Sequence, residues 1–231
     1  MPRDTVFLLP GLLCDAGIWR HQVEALALAH EVRVADFTAF DSLSRMAVSV
    51  LEAAPDRFSL AGHSMGARVA LEIMRRAPER VDRLALLDTG VHPPRPGEAE
   101  QRRILVDLVQ TSGMQALAER WLPPMVHSAR HGEAAIMAPL QQMVLRMSPE
   151  IFRRQVRALL NRADATDVLR TITCPVLIAV GELDQWSPPA QHEAIARLIP
   201  QARYVVFPGS GHMSPIETPE AVSSALIQWL A

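Results

Sequence analysis

Short apolar segments alternate along the chain with longer segments in which apolar residues recur at helical spacing. The short segments predict six β-strands, at residues 5–9, 31–36, 57–62, 83–88, 175–180 and 203–207. Three of these segments are nearly continuous apolar runs, which is typical of a parallel sheet that is covered on both faces. Helices are predicted between the strands at residues 18–29, 42–53, 65–77, 188–199 and 219–230. This alternation predicts an α/β fold with a doubly wound, mainly parallel, six-stranded sheet.

The alternation stops between residues 91 and 165. This region opens with the proline-rich stretch HPPRPGEAE and then shows only helical patterns, at residues 98–110, 114–121, 133–147 and 151–161. An all-helical insertion between two parallel strands is expected to lie over the carboxyl edge of the sheet, where open α/β folds bind ligands. We therefore expect a core of residues 1–91 and 166–231 and a helical cap of residues 92–165.

Composition and charge narrow the range of partners. The chain has 231 residues, 49% of them apolar, and a formal net charge of −2, which gives no reason to expect nucleic acid or a membrane as partner. Two cysteines, Cys14 and Cys174, are too few for a disulfide framework. No secretory signal is convincing and no run of 18 apolar residues occurs, so we expect a cytoplasmic protein. The sequence does not predict the oligomeric state.

A serine lies between two glycines where a predicted strand passes into a predicted helix. In GHSMG, residues 62–66, such a turn is so sharp that its serine backbone is strained, and only small residues fit two positions before and after it. The turn would raise the Ser64 hydroxyl above the sheet beside the start of a helix. The backbone N–H of Met65 would then point at negative charge that develops on an attacked carbonyl oxygen. This context predicts a nucleophile.

A serine hydroxyl becomes a good nucleophile when a base removes its proton, and the base itself must be oriented by a third group. The stretch VLIAVGELDQWSPP places Asp184 just after a buried strand, and YVVFPGSGHMSPIETPE places His212 after the next one. Both loops follow the carboxyl ends of predicted parallel strands, as does Ser64. The order serine, acid, histidine therefore predicts His212 as base and Asp184 as the acid that orients it.

Other titratable residues near these motifs have alternative interpretations. Asp88 also ends a predicted strand and is an alternative acid. His63 is adjacent to the serine, but we expect a structural role because its side chain should point elsewhere on the turn. The remaining candidates are expected to be exposed, to line the pocket or to bond loop backbone: His92, His127, His131, Glu182 and Glu217.

The loop after the first strand should supply a second backbone donor to the oxyanion. In LLPGLLCDAGIW, Gly11 permits a close turn, so the N–H of Leu12 is the expected partner of the Met65 N–H. The N–H of Leu13 is the alternative donor.

Taken together, these motifs make the chain resemble the α/β-hydrolase superfamily, and within it the small capped serine esterases. The carriers of the resemblance are LLPGLLCDAGIW, GHSMG, PVLIAVGELDQWSPP and GSGHMSPIETPE, in this order and across nearly the whole core. The resemblance implies the same triad, with Ser64 as nucleophile, Asp184 as acid and His212 as base.

The sequence departs from that family in three respects, which bear on whether the substrates of relatives can be assigned to this chain. Pro10 replaces a histidine that many relatives carry in the oxyanion loop, and the loop ADFTAFDSLS lacks the Arg-Gly-x-Gly-x-Ser stretch that is common there. Because the sequence begins at the strand before the oxyanion loop, we also expect a sheet without the antiparallel leading strands of larger relatives. The substrate assignments of relatives are therefore not carried over.

The expected activity is hydrolysis of a carboxylic ester of a small to medium substrate through an acyl-enzyme. The cap is rich in flexible apolar side chains, which favour a mainly apolar substrate, although most of them are expected to pack the cap onto the core: Met114, Trp121, Met125, Met137, Met143 and Met147. No histidine, carboxylate or cysteine cluster has ligand spacing, so we expect neither a metal nor another cofactor.

Two other classes of function remain open. A lyase, a lactonase or a C–C bond hydrolase would use the same triad, and in a lyase the serine acts as a base instead of a nucleophile. A non-catalytic ligand receptor on the same fold is disfavoured by the complete triad and both predicted oxyanion donors.

Overall fold

The computed structural model describes residues 4–231 and contains one six-stranded sheet in which neighbouring strands all run parallel. The strands are β1 (Thr5–Leu9), β2 (Glu31–Val34), β3 (Phe58–His63), β4 (Val81–Leu87), β5 (Val176–Gly181) and β6 (Ala202–Phe207). Their order across the sheet is β2-β1-β3-β4-β5-β6. The six predicted strands are confirmed, and only their ends shift.

The burial of the central strands explains why their apolar runs predict them clearly. Every residue of β1, β3 and β5 is buried, as expected for strands whose two faces are both covered by helices. The edge strands β2 and β6 instead mix exposed and partly buried positions. The apolar runs in the sequence therefore mark the middle of the sheet.

Ten α-helices lie in residues 4–231. They are α1 (Arg20–Leu26), α2 (Leu43–Ala53), α3 (Met65–Arg76), α4 (Glu98–Trp121), α5 (Ala134–Leu145), α6 (Pro149–Leu160), α7 (Thr166–Leu169), α8 (Pro189–Arg197), α9 (Ser214–Glu217) and α10 (Pro219–Leu230). The predicted helix at residues 18–29 is wrong at its start, where a 3-10 turn at Ala16–Trp19 precedes α1. The Asp15 side chain caps this turn by accepting a hydrogen bond from the Gly17 N–H at 2.8 Å.

The helices of the core pack against the sheet and against one another. Helix α3 contacts β1, β3 and β4 and packs beside α2, whereas α10 contacts β4, β5 and β6 and packs beside α1. Helix α8 lies against β5 and β6. These contacts bury the apolar faces that the sequence pattern predicts.

The stretch between β4 and β5 holds α4, α5 and α6, as the helical patterns predict. Gly113 interrupts α4 with a φ of 78°, a left-handed value that glycine adopts at little cost, and so splits it into the two predicted segments. Helix α4 packs against both α5 and α6. The Gln155 side chain in α6 accepts a hydrogen bond from the Leu13 N–H at 2.9 Å, which joins this insertion to the loop after β1.

Because the sheet is parallel, the loops after its strands all leave from one edge. The loop after β1 carries Leu12, the turn after β3 carries Ser64, and the loop after β5 carries Asp184. His212 follows β6 at the same edge. Within the part of the chain described, none of the helices combines the length and the apolar character needed to cross a membrane.

Candidate active site

The turn between β3 and α3 holds Ser64 in a strained backbone conformation. Its φ of 53° and ψ of −114° lie outside the regions that non-glycine residues usually adopt. The Ser64 N–H donates to the Leu87 carbonyl at 2.9 Å, and the Thr89 hydroxyl donates to the Ser64 carbonyl at 3.0 Å. These bonds to the end of β4 hold the strained residue in place.

Close backbone packing explains the two glycines of the turn. A Cβ atom added to Gly66 would lie 2.0 Å from the Leu9 carbonyl oxygen, and one added to Gly62 would lie 2.5 Å from the Ala67 nitrogen. Both obstacles are backbone atoms and cannot turn aside. The sequence interpretation that only small residues fit here is confirmed.

Ser64, His212 and Asp184 form a continuous chain of hydrogen bonds. The Ser64 Oγ lies 2.9 Å from His212 Nε2, and His212 Nδ1 lies 2.8 Å from Asp184 Oδ2. The other carboxylate oxygen, Oδ1, accepts the N–H groups of Trp186 at 2.8 Å and Ser187 at 2.9 Å. All carboxylate contacts come from donors, so Nδ1 carries the imidazole proton and Nε2 is free to accept one from the serine.

The electrostatics of the pair agree with this assignment of protons. Burial alone would raise the pKa of Asp184, but the charge and hydrogen bond of His212 lower it below the usual aspartate value. Burial alone would lower the pKa of His212, but the charge and hydrogen bond of Asp184 raise it above the usual histidine value. An imidazolium formed at His212 is therefore stabilised in place.

Asp88, the alternative acid, lies behind this chain of bonds instead of in it. Its Oδ1 accepts the Gly181 N–H at 2.9 Å, and its Oδ2 accepts the Ser214 hydroxyl. Burial, and then the negative charge of Asp184, raise the pKa of Asp88. The imidazole Nδ1 of His212 bonds Asp184 and leaves no position there for Asp88.

His63 has a structural environment, in agreement with the sequence interpretation. Its ring is buried, and its Nε2 donates to the His212 carbonyl oxygen at 2.8 Å. Burial, and then the charge of His212, lower the pKa of His63 to about 3, so the ring is neutral. It supports the backbone of the loop that carries His212.

The hydrogen bonds of the loop after β1 show which of its two candidate N–H groups is free to bind an oxyanion. The Leu13 N–H is already bonded to Gln155 Oε1. The N–H groups of Leu12 and Met65 have no hydrogen-bond partner among residues 4–231. This favours Leu12 over Leu13 as the partner of Met65.

Glu217 fixes the loop that carries His212. Its Oε1 accepts the Met213 N–H at 3.0 Å, and its Oε2 accepts the N–H groups of Gly211 at 3.0 Å and His127 at 2.8 Å. The His212 N–H donates in turn to the Met125 carbonyl at 2.8 Å. The histidine loop is therefore bonded to the segment that follows α4, a link that sequence reasoning did not predict beyond the bonding of Glu217 to loop backbone.

A cavity of about 350 Å³ opens beside the serine and the histidine. Trp121 and Met125 are the members of the predicted apolar set that line it, whereas Met143 and Met147 are buried elsewhere. Its wall instead contains four arginines, from α3, from the loop after β4 and from the insertion: Arg68, Arg95, Arg102 and Arg162. Most of this set therefore packs into the hydrophobic core, as expected, and the arginines make the cavity wall partly polar beside its apolar residues.

Several polar residues of this site were missed by the sequence analysis. His192 is buried in α8 and accepts the Thr89 N–H at 2.8 Å through Nε2, which holds the loop after β4. Of the histidines expected near the pocket, His92 lines the cavity, whereas His127 and His131 do not. Among residues 4–231, no group of three histidine, cysteine or carboxylate side chains has the arrangement of a metal site.

Comparison with known proteins points to one family. A family model described as the alpha/beta hydrolase family matches residues 6–225. A pimeloyl-[acyl-carrier protein] methyl ester esterase from Nitrosomonas europaea is 28% identical over 92% of this chain and 90% of its own length. A putative carbamate hydrolase from a Caulobacter species is 24% identical over 99% of this chain and 91% of its own length.

Solved structures show the same relationship. A thermophilic esterase from Thermogutta terrifontis, in a malate-bound form, superimposes with a TM-score of 0.89 at 30% identity, over 99% of this chain and 90% of that one. An enol-lactonase from Burkholderia xenovorans gives a TM-score of 0.89 at 24% identity, over 100% of this chain and 92% of that one, a likeness of fold.

Proposed function

Because the chain belongs to the alpha/beta hydrolase family, we propose that it is a serine hydrolase that cleaves carboxylic esters through an acyl-enzyme. The observation that carries the proposal is the unbroken path of hydrogen bonds from Ser64 through His212 to Asp184. Ester hydrolysis as the reaction class is supported by two similar proteins, a methyl ester esterase and a thermophilic esterase.

The first half of the proposed reaction forms the acyl-enzyme. The Ser64 Oγ attacks the ester carbonyl carbon while His212 Nε2 takes the hydroxyl proton, and Asp184 stabilises the resulting imidazolium. The N–H groups of Leu12 and Met65 donate to the oxyanion, and each such donor contributes ~3 kcal/mol to lowering the barrier in enzymes of this kind. The C–O bond then breaks, and His212 returns its proton to the leaving alcohol.

The second half releases the acid. Water enters, His212 removes one of its protons, and the hydroxide oxygen attacks the acyl carbon over the same two backbone donors. The Ser64 Oγ leaves and recovers its proton from His212, so the enzyme returns to its starting state. No step uses a metal or an organic cofactor.

The cavity beside Ser64 supports a role for the helical insertion and a limit on the size of the substrate. We assign residues 92–165 the role of a cap, because the cavity beside Ser64 is lined partly by residues of this stretch, among them Trp121 and Met125. Its volume of about 350 Å³ is at the small end of ligand pockets, which favours a small to medium substrate. A cytoplasmic location stays a prediction from the sequence.

Replacing the nucleophile tests the proposal directly. Ser64→Ala is expected to remove nearly all turnover of p-nitrophenyl butyrate without loss of fold, since the change removes one hydroxyl, whose side-chain hydrogen bond is to His212. Ser128→Ala, at an exposed serine, is the matched control and should retain full turnover. Normal turnover in Ser64→Ala would refute the proposal.

Mass spectrometry separates the acyl-enzyme from the alternative in which serine acts as a base. A slowly hydrolysed ester should add the mass of its acyl group to the peptide that contains Ser64. Steady hydrolysis with no such adduct would instead favour the mechanism in which Ser64 acts as a base. A screen across esters, lactones, thioesters and carbamates would then rank the remaining hydrolytic reactions.

A further inference from the structure

The wall of the cavity beside Ser64 carries more positive than negative charge. Away from the triad and Asp88, its charged residues are the four arginines named above and one carboxylate, Glu98. Arg68 and Arg102 are buried, with exposures of 6% and 8%, and the Arg162 side chain is 8% exposed. Such an excess of buried guanidinium groups is costly unless something compensates it.

Glu98 compensates only part of this charge, because Arg162 already binds both of its oxygens. The Arg162 Nη1 lies 2.7 Å from Oε1 and its Nη2 lies 2.6 Å from Oε2, a bidentate pair. Burial alone would raise the pKa of Glu98, but the hydrogen bonds of Arg162 and the neighbouring cations lower it to about 2. Glu98 is thus ionised and balances one guanidinium.

Arg68 has neutral partners. Its Nη1 donates to the Gly90 carbonyl and its Nη2 to the Ala163 carbonyl, both at 2.6 Å. Asp164 and Glu72 are near enough to favour its charge, but neither lines the cavity. Burial, followed by repulsion from Arg162, lowers the pKa of Arg68 to about 10, so it remains charged at neutral pH.

Arg102 has unused donors. Its Nε donates to Glu98 Oε1 at 2.9 Å, whereas its Nη1 and Nη2 have no hydrogen-bond partner among residues 4–231. The two Nη groups of a guanidinium lie in one plane, with the spacing of the two oxygens of a carboxylate. A carboxylate is therefore the ligand that these free donors fit.

We propose that the cavity binds a free carboxylate of the substrate through Arg102, with Arg68 as a second positive charge. The substrate is then an ester that carries a second, ionised carboxyl group, and the expectation of a mainly apolar substrate is replaced. This inference rests on the proposed ester hydrolysis at Ser64 and names the substrate class of that same site.

Matched substrates test it by kinetics. Monomethyl succinate, glutarate and adipate are compared with the methyl esters of the corresponding primary amides, which have the same shape without the charge. O-acetyl hydroxy acids and their amides test a carboxylate on the alcohol side. For at least one series, kcat/KM should be tenfold or more higher for the acid than for its amide. Equal values in every series overturn the proposal.

Variants assign the preference to Arg102. In Arg102→Gln the ratio of kcat/KM between the preferred acid and its amide should fall at least tenfold, whereas Arg102→Lys should keep part of it. Arg103→Gln is the matched control, since Arg103 is its exposed neighbour and pairs with Glu100 and Asp107. A ratio that is unchanged in Arg102→Gln, or equally lowered in Arg103→Gln, contradicts the assignment.

A binding experiment separates this inference from the proposed function. Isothermal titration calorimetry of the Ser64→Ala protein with the same monomethyl esters needs no turnover. Binding that weakens at least tenfold when Arg102→Gln is added supports the carboxylate site even if the unmodified enzyme hydrolyses no ester. Ester hydrolysis without such binding leaves the proposed function intact and overturns the carboxylate site.

Discussion

Replacing Asp184 by asparagine changes which nitrogen of His212 holds its proton. The Asp184 Oδ1 accepts two backbone N–H groups, from Trp186 and Ser187, and these bonds require an oxygen. The asparagine amide therefore keeps its oxygen there and turns its NH₂ group toward His212 Nδ1. The imidazole must then accept at Nδ1 and carry its proton on Nε2, where it can no longer take the Ser64 proton.

The size of the effect follows from the cost of escaping that arrangement. If the amide rotates so that its oxygen faces His212 Nδ1, the imidazole proton can return to Nδ1. The amide NH₂ group then faces the two backbone N–H groups, which lose their acceptor. Each buried N–H left unpaired costs about 1–3 kcal/mol, so the productive form lies about 2–6 kcal/mol higher. This range corresponds to a fall in kcat of about 30-fold to more than 10⁴-fold. The same change in a serine protease lowers kcat by about 10⁴-fold.

The assay is steady-state hydrolysis of p-nitrophenyl butyrate, with circular dichroism to confirm that the variant is folded. Asp88→Asn is the matched control, because Asp88 is equally buried but does not bond the His212 ring. It is expected to lower kcat by less than about tenfold, since an amide can still accept the Gly181 N–H and bond Ser214. An Asp88→Asn loss as large as that of Asp184→Asn would refute the reasoning and make Asp88 the acid.

Two further predictions concern pH and the nucleophile turn. The pKa of His212 is raised above 6.5 because Asp184 outweighs the effect of burial, and catalysis needs the neutral ring, so kcat/KM should fall as pH decreases with a midpoint above 6.5. A pH–rate profile checks this, and a midpoint below that value would contradict it. Gly66→Ala should lower the free energy of unfolding by about 3 kcal/mol in urea denaturation, because the new Cβ meets the Leu9 carbonyl. Gly132→Ala, with nothing within 4 Å, is the control and should stay within about 0.5 kcal/mol; equal losses would refute the steric account.

The sequence was sufficient to predict the sheet and the hydrogen-bonded triad because both depend on short local patterns. The apolar runs indicate the strands, and the motifs that follow those strands indicate the triad. The buried runs of β3 and β5 are legible because both of their faces are covered. Parallel strands then bring Ser64 and Asp184 to one edge whatever the details of packing. His212 follows from the same topology.

The character of the cavity was not predictable in the same way. Arg102 lies on α4, and whether it faces solvent or the cavity depends on how α4 packs against α5 and α6. Nothing local in EAEQRRILV distinguishes the buried Arg102 from the exposed Arg103. The bonds of His192 and Gln155 to distant loop N–H groups likewise depend on tertiary contacts that no spacing rule describes.

The bonds between the histidine loop and the segment after α4 couple the position of His212 to that of Met125, a residue of the cavity wall. Moving Met125 and His127 away from the core would break the hydrogen bond from the His212 N–H to the Met125 carbonyl and the bond from the His127 N–H to Glu217. The His212 ring would then lose its support beside Ser64. Any opening of the cavity that left His212 in position would therefore have to leave this segment in place. An exchange of this insertion between relatives would have to preserve the backbone positions of Met125 and His127, because His212 and Glu217 bond to them.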